Sequence, residues 1–149
     1  MNATIRPAVL SETDAIVACI DAAYARYAET ITDLPAVSEG CDAQIRMKRV
    51  WVAEVAGELA GVVFLVPEAG IMKLANVAVH PDYRGRSLGR SLVEHAEHEA
   101  RRSGYTEMRL NTHAAMKDNV SLYAHLGWKI LSVSGNTVSM IRHIRQDPV

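Results

Sequence analysis

The spacing of apolar and polar positions along the chain changes rhythm several times, and each change marks an element. Residues 4–9 alternate weakly with period two and predict a first strand, where Pro7 argues for an edge position or a bulge. Ser11-Glu12-Thr13-Asp14 has the form of a capping box. Ile16, Val17, Ile20 and Tyr24 follow at helical spacing, so a first helix is expected to run to about Tyr27. The pattern then breaks around Asp33, Pro35 and Gly40, and a short second helix is expected over residues 41–49. Residues 50–55 and 59–66 read as two strands of a hairpin joined at Ala56-Gly57-Glu58. After a turn at 67–70, the near-continuous apolar run of 71–80 suits a strand buried on both faces.

A loop then leads into a long helix ending near Arg102. Leu88, Leu92, Val93, Ala96 and Ala100 share one face of it, and Glu94, Glu97, His98 and Arg101 the other. Gly104 stops that helix. A strand over 105–111, a helix over 118–126 ended by Gly127, and two closing strands over 128–133 and 136–144 complete the pattern. The order β-α-α-β-β-β-α-β-α-β-β contains no repeat and no low-complexity segment. It predicts one mixed α/β domain over residues 1–149.

Composition narrows the function classes. With 49% hydrophobic and 22% charged residues the chain is neither disordered nor fibrous. Sixteen basic against seventeen acidic side chains leave a formal charge of −1, without the strongly basic balance of a nucleic-acid binder. No apolar run approaches the ~20 residues of a membrane helix, and the N-terminus lacks a secretory h-region. A soluble, cytoplasmic protein with no membrane partner is expected. Cys19 and Cys41 belong to no metal-binding or CxxC pattern and read as reduced apolar fillers; no metal is expected.

The chemistry concentrates in Val77-Ala78-Val79-His80-Pro81-Asp82-Tyr83-Arg84-Gly85-Arg86-Ser87-Leu88-Gly89-Arg90. Here a buried strand passes through a loop of small residues into a long helix. Unpaired amides and the positive dipole end at a helix start attract anions. Gly85, Ser87 and Gly89 keep side chains clear of those amides, while Arg84, Arg86 and Arg90 add positive charge. The arrangement suits a diphosphate, yet neither GxxxxGK[ST] nor GxGxxG is present.

This segment resembles the acyl-CoA-binding motif of the GNAT superfamily of N-acetyltransferases, Arg/Gln-x-x-Gly-x-Gly/Ala. It is matched by Arg84-Gly85-Arg86-Ser87-Leu88-Gly89, with Ser87 where glycine is usual. Asn119-Val120-Ser121-Leu122-Tyr123-Ala124-His125-Leu126-Gly127-Trp128 is similar to a second segment of that family. The resemblance covers essentially the whole chain. It implies a central mixed sheet of about seven strands with about four helices, and a V-shaped cleft for acetyl-CoA as co-substrate. It further implies that the backbones of Val77 and Val79 hold the pantetheine arm and acetyl carbonyl, that Asn119 bonds the arm, and that Tyr123 is the general acid. Asn119 and Tyr123 are four residues apart, which places them on one helix face.

The resemblance implies acetyl transfer to a primary amine of a small molecule or peptide, by direct attack in a ternary complex. A non-catalytic acyl-CoA-binding module and a protein-lysine or N-terminal acetyltransferase stay open beside it. Many relatives carry a glutamate base on the fourth strand, whereas this strand offers Lys73 and Asn76. His80 reads as a turn residue. His113, just past the fifth strand, is the candidate base, with a water chain as the alternative. For the acceptor, residues 24–42 offer Tyr24, Tyr27, Glu29, Asp33 and Glu39, a mix suited to a cationic amine. The closing strands, with Ile130, Leu131, Val133, Val138, Met140 and Ile141, are expected to pair in a homodimer.

Overall fold

Residues 3–28, 30–31 and 40–145 are described by a computed structural model. The elements follow the expected order: β1 (Thr4–Pro7), α1 (Thr13–Ala28), α2 (Cys41–Arg46), β2 (Val50–Val55), β3 (Glu58–Glu68), β4 (Ile71–Val79), α3 (Leu88–Arg102), β5 (Glu107–His113), α4 (Lys117–His125), β6 (Lys129–Ser134) and β7 (Thr137–His143). Several boundaries differ from the sequence expectation, for local reasons. Ser11 does not cap α1. A 3₁₀ turn, Leu10–Glu12, precedes the helix, and Glu12 reaches back to accept the Val9 N–H at 3.0 Å. Arg6 grips Glu12 at 2.7 and 2.9 Å and Glu54 at 3.0 Å, tying β1 to both the start of α1 and β2. The second helix stops early because Lys48 turns into the left-handed region at φ 59°. β3 runs on through Pro67 to Glu68, and the turn falls instead at Ala69-Gly70.

One seven-stranded sheet has the order β1-β2-β3-β4-β5-β7-β6, with every neighbouring pair antiparallel except β4 and β5. Alternation along β2 and β3 sorts the apolar side chains to two faces. Val50, Val52, Val62 and Phe64 pack under Ile16 and Ile20 of α1 and Ile45 of α2. Val63 and Leu65 pack with Leu92, Val93 and Ala96 of α3 and with Tyr123 of α4. Cys19 and Cys41 are buried free thiols, and burial pushes Cys19 up to about 11, so it stays protonated.

At Gly61 of β3 the α3 layer packs directly on the sheet. An added Cβ would lie 2.9 Å from Leu92 Cδ1 and 3.0 Å from the Ala78 carbonyl oxygen, and Leu92 is fully buried. Gly61→Ala is therefore expected to cost about 1–3 kcal/mol, read as a fall of several degrees in Tm. An unchanged melting curve would show that α3 can shift without penalty.

β4 carries the irregularity that shapes the site. Phe64 pairs with Asn76 but Leu65 with Leu74, so Ala75 is an extra, bulged residue. The bulge reverses the strand's facing: Met72 and Leu74 pack on the α3 side before it, and Val77 and Val79 do so after it. Asn76 and Ala78, which alternate with them, thereby turn toward α1. Parallel pairing of β4 with β5 is confined to Met72 with Met108 and Lys73 with Arg109. Beyond Lys73 the two strands separate, and the sheet opens into a V.

At the far edge, β6 exposes Ile130, Leu131 and Val133 (57%, 48% and 60%). Val138 and Met140, expected with them at a dimer edge, are instead buried in the core beside α3.

Candidate active site

The V between β4 and β5 is the floor of a cleft. Its lining includes Ala23, Tyr24, Arg26 and Tyr27 of α1, Val77 to Val79 of β4, Arg84 and Gly89 of the following loop and helix, and Met116, Asn119, Leu122 and Tyr123 around α4. The ladder shows where the β4 backbone points. His80 N–H donates to Ala60 O at 2.8 Å, and Val79 lies opposite Gly61. In an antiparallel pair these alternate, so Val77 and Val79 direct their N–H and C=O groups away from β3 and into the gap. Their polar groups thus line a cleft that β5 does not fill.

A 3₁₀ turn, Pro81–Tyr83, follows β4, with His80 Nδ1 accepting the Asp82 N–H at 3.1 Å. His80 is the turn residue that the sequence suggested. Gly85 (φ 76°) and Ser87 (φ 61°) both take left-handed backbone, so Ser87 adopts the conformation that glycine would adopt more readily. Ser87 is the N-cap of α3 but makes no side-chain cap bond. The first bond along the helix is Ser91 N–H to Ser87 O, at 3.1 Å. The amides of Leu88, Gly89 and Arg90 therefore have no partner within the helix. A Cβ at Gly89 would stand 3.4 Å from Leu122 Cδ2 and 3.9 Å from Val79 Cγ2, which places the glycine at the pinch between β4 and α4.

Arg84 donates to the Ala23 carbonyl at 3.1 Å, joining the loop to α1. Arg86 sits over the Tyr83 ring at 5.4 Å, and Arg90 lies 3.5 Å from Glu94 one helical turn on. Neither of these two lines the cleft.

On the opposite wall, Asn119 and Tyr123 share the face of α4 that lines the cleft. The Tyr123 ring is buried against Trp128, with ring centroids 5.9 Å apart. Burial, with Tyr24 adding to it, raises this phenol above its ordinary ionisation range, so it holds its proton. Across from it, Tyr24 Oη donates to Asn76 Oδ1 at 3.0 Å. Burial, then Tyr27, pushes Tyr24 up to about 12. Arg26 donates to Tyr27 Oη at 2.6 Å and lies 3.6 Å from Asp118 at the start of α4.

The candidate base meets a different geometry. β5 extends two residues further than expected, so His113 is carried in the ladder opposite Thr137. Its Nδ1 accepts the Ala115 N–H at 3.0 Å, and the residue is not part of the cleft lining. Lys73 lies before the splay, 3.9 Å from Glu68, and is likewise outside it. Of the acceptor-side residues, Tyr24 and Tyr27 reach the cleft, whereas Glu29, Asp33 and Glu39 fall outside the described residues. Sequence reasoning missed the bond between Tyr24 and Asn76, 52 residues apart, and the contributions of Met116 and Arg26. The signal for the first was a lone amide in the otherwise apolar stretch of β4. Among the described residues, no group of His, Cys, Asp and Glu is placed to hold a metal ion, and no helix is long and apolar enough to cross a membrane.

A splayed parallel pair at the centre of a mixed sheet, with a strand-loop-helix cradle at its mouth, is the architecture of an acyltransferase of the GNAT type. The chain belongs to that family: residues 46–130, more than half of the 149, match the acetyltransferase (GNAT) domain. It is 31% identical over 104 residues to the uncharacterized N-acetyltransferase YjgM of Escherichia coli K12, a match covering 64% of this chain and 62% of YjgM. It is 35% identical over 63 residues to the [ribosomal protein bS18]-alanine N-acetyltransferase of the same organism, covering 42% of this chain and 43% of that enzyme. The matches thus span less than two thirds of either relative. The fold is similar to that of the PaiA N-acetyltransferase of Thermoplasma acidophilum, solved in complex with coenzyme A, with a TM-score of 0.84. That similarity comes at 20% identity and covers 96% of this chain and 99% of that one.

Proposed function

We propose that the chain transfers an acetyl group from acetyl-CoA to a primary amine of a small molecule or peptide, by direct attack within a ternary complex. The observation that carries this reading is the splay. Outward-turned backbone at Val77 and Val79 leads from the α3 amides at one end of the cleft to the buried Tyr123 phenol on its other wall. The residues present fit acetyl-CoA. The left-handed loop and the amides of Leu88, Gly89 and Arg90 suit a diphosphate, and the narrow gap beside Gly89 suits a thin arm.

When bound, acetyl-CoA supplies an activated acetyl group as a thioester. The backbone from Gly85 through Ser87 to Gly89 holds the diphosphate end by amide donors, with Arg84 at the cleft and Arg86 and Arg90, outside its lining, adding positive charge around it. Val77 and Val79 fix the arm through main-chain bonds, and Asn119 adds a side-chain bond from the facing helix. Tyr123 gives its phenolic proton to the departing sulfur, and burial keeps that proton in place until the transfer. His113 would have to turn away from the Ala115 amide to act as base, so water is the better carrier of the amine's proton.

Incubation with acetyl-CoA and a panel of primary amines, followed by thiol release, tests the reading. Amine-dependent release supports it. Tight CoA binding with no release would make the chain an acyl-CoA-binding module instead. The bare β6 edge supports self-association, and sedimentation at micromolar concentration is expected to show a dimer. Material of 16.3 kDa alone would reject it.

A further inference from the structure

Of the three phenols that line the cleft, Tyr24 and Tyr123 have opposite hydrogen-bonding polarity. Tyr24 has committed its proton to Asn76 Oδ1, so toward the cleft it offers only oxygen lone pairs. Asn76 is 8% exposed in an apolar stretch of β4; its Oδ1 takes the Tyr24 proton, while its buried Nδ2 has no partner among the described residues. Tyr123, by contrast, keeps a proton to give. Among the described residues, the charged and titratable groups lining the cleft around Tyr24 are Arg26 and Tyr27 from its own helix, Arg84 from the loop and Tyr123 from α4, while Asp118 is drawn to Arg26 at the rim. β4 adds apolar side chains to that lining and Asn76 behind Tyr24. Guanidinium groups do not accept protons, and the pair of them repels an ammonium ion.

We propose that Tyr24, held by Asn76, receives an N–H of the acceptor through its oxygen, and that the acceptor is a weakly basic amine of the α-amino class bound as the free base. This rests on the acetyl-transfer reading above. The lone pair of the neutral amine forms the new C–N bond as the C–S bond breaks, and the sulfur takes the Tyr123 proton. The surplus N–H proton passes to water, and water restores the Tyr123 proton. Tyr24 thus orients the nucleophile, and Asn76 is a positioning residue acting through Tyr24. An α-amine ionises at ~7.7–8.0 and a lysine side chain at ~10.4, so near neutrality the former carries roughly 10²–10³-fold more free base.

The test measures acetylation of hydroxylamine, triglycine amide and N-acetyl-lysine amide across pH, together with calorimetric titration of CoA. For each amine, kcat/KM is expected to rise with pH and level off at that amine's own pKa. At pH 7 triglycine amide should exceed N-acetyl-lysine amide by at least tenfold. Tyr24→Phe, which keeps the ring, should lower kcat/KM for the amine about 10–100-fold with CoA affinity unchanged. Asn76→Ala should do the same, and the double variant should be no worse than Tyr24→Phe alone. A levelling at one pH common to all three amines would mean a protein base and would overturn the proposal, as would a parent-like Tyr24→Phe. If CoA binds but the parent chain acetylates none of the three, the acetyl-transfer reading falls and this proposal with it. If the parent acetylates them and only the variants fail to respond, this proposal alone falls.

Discussion

Gly89→Glu is expected to abolish CoA binding while leaving the fold intact. The position is the second residue of α3, where a glutamate is a good helix former and its charge favours the positive end of the dipole, so local stability should hold or rise slightly. Binding faces the opposite consequence. The new Cβ would stand in ordinary contact with Leu122 Cδ2 at 3.4 Å and Val79 Cγ2 at 3.9 Å, and the rest of the side chain would fill the pinch that the arm must thread. A carboxylate beyond it would stand where the diphosphate is held, and two like charges at contact repel strongly in a partly enclosed site. A loss of about 100-fold or more in CoA affinity should appear by calorimetry, with the circular-dichroism melt unchanged. Undiminished affinity would remove the diphosphate from the start of α3.

Tyr123→Phe should affect the rate and leave donor binding unchanged. The substitution keeps the ring against Trp128 and removes only the hydroxyl. General-acid contributions run to roughly 10²–10⁴-fold, and a fall of about that size in the chemical step is expected by single turnover. CoA affinity should be unchanged, and stability should move by no more than ~1 kcal/mol. Burial sets the pH behaviour as well. A phenol raised above its ordinary ionisation keeps its proton through neutral and mildly alkaline conditions, so Tyr123 should cause no fall in rate across that range. If the variant's chemical step ran at the parent rate, Tyr123 would be a packing residue and water the acid.

These expectations draw on two kinds of information. The order of elements, the apolar face of α3, the interior character of β4 and the small-residue loop were all legible from the chain, because each depends on local periodicity or on neighbours within a few residues. The same holds for Asn119 and Tyr123, since helical geometry alone puts positions four apart on one face. Boundaries were less legible where a distant partner set them. Glu12 displaced Ser11 as the cap because Arg6 of β1 and the Val9 amide both reach it. Val138 and Met140 look like edge residues in the sequence, but β7 lies inside the sheet, between β5 and β6.

Only the tertiary structure decided where β4 and β5 part. That depends on a single bulged residue, Ala75, and on a parallel register of two pairs, neither of which leaves a period in the sequence. Tertiary packing also put Tyr24 against Asn76 across 52 residues and carried His113 out of the cleft. By itself the sequence determined the kind of domain and the loop that opens α3, because those are written in short-range spacing. Which side chains share the cleft was settled by strand pairing and helix docking, where the chain meets itself and local pattern no longer constrains the partner.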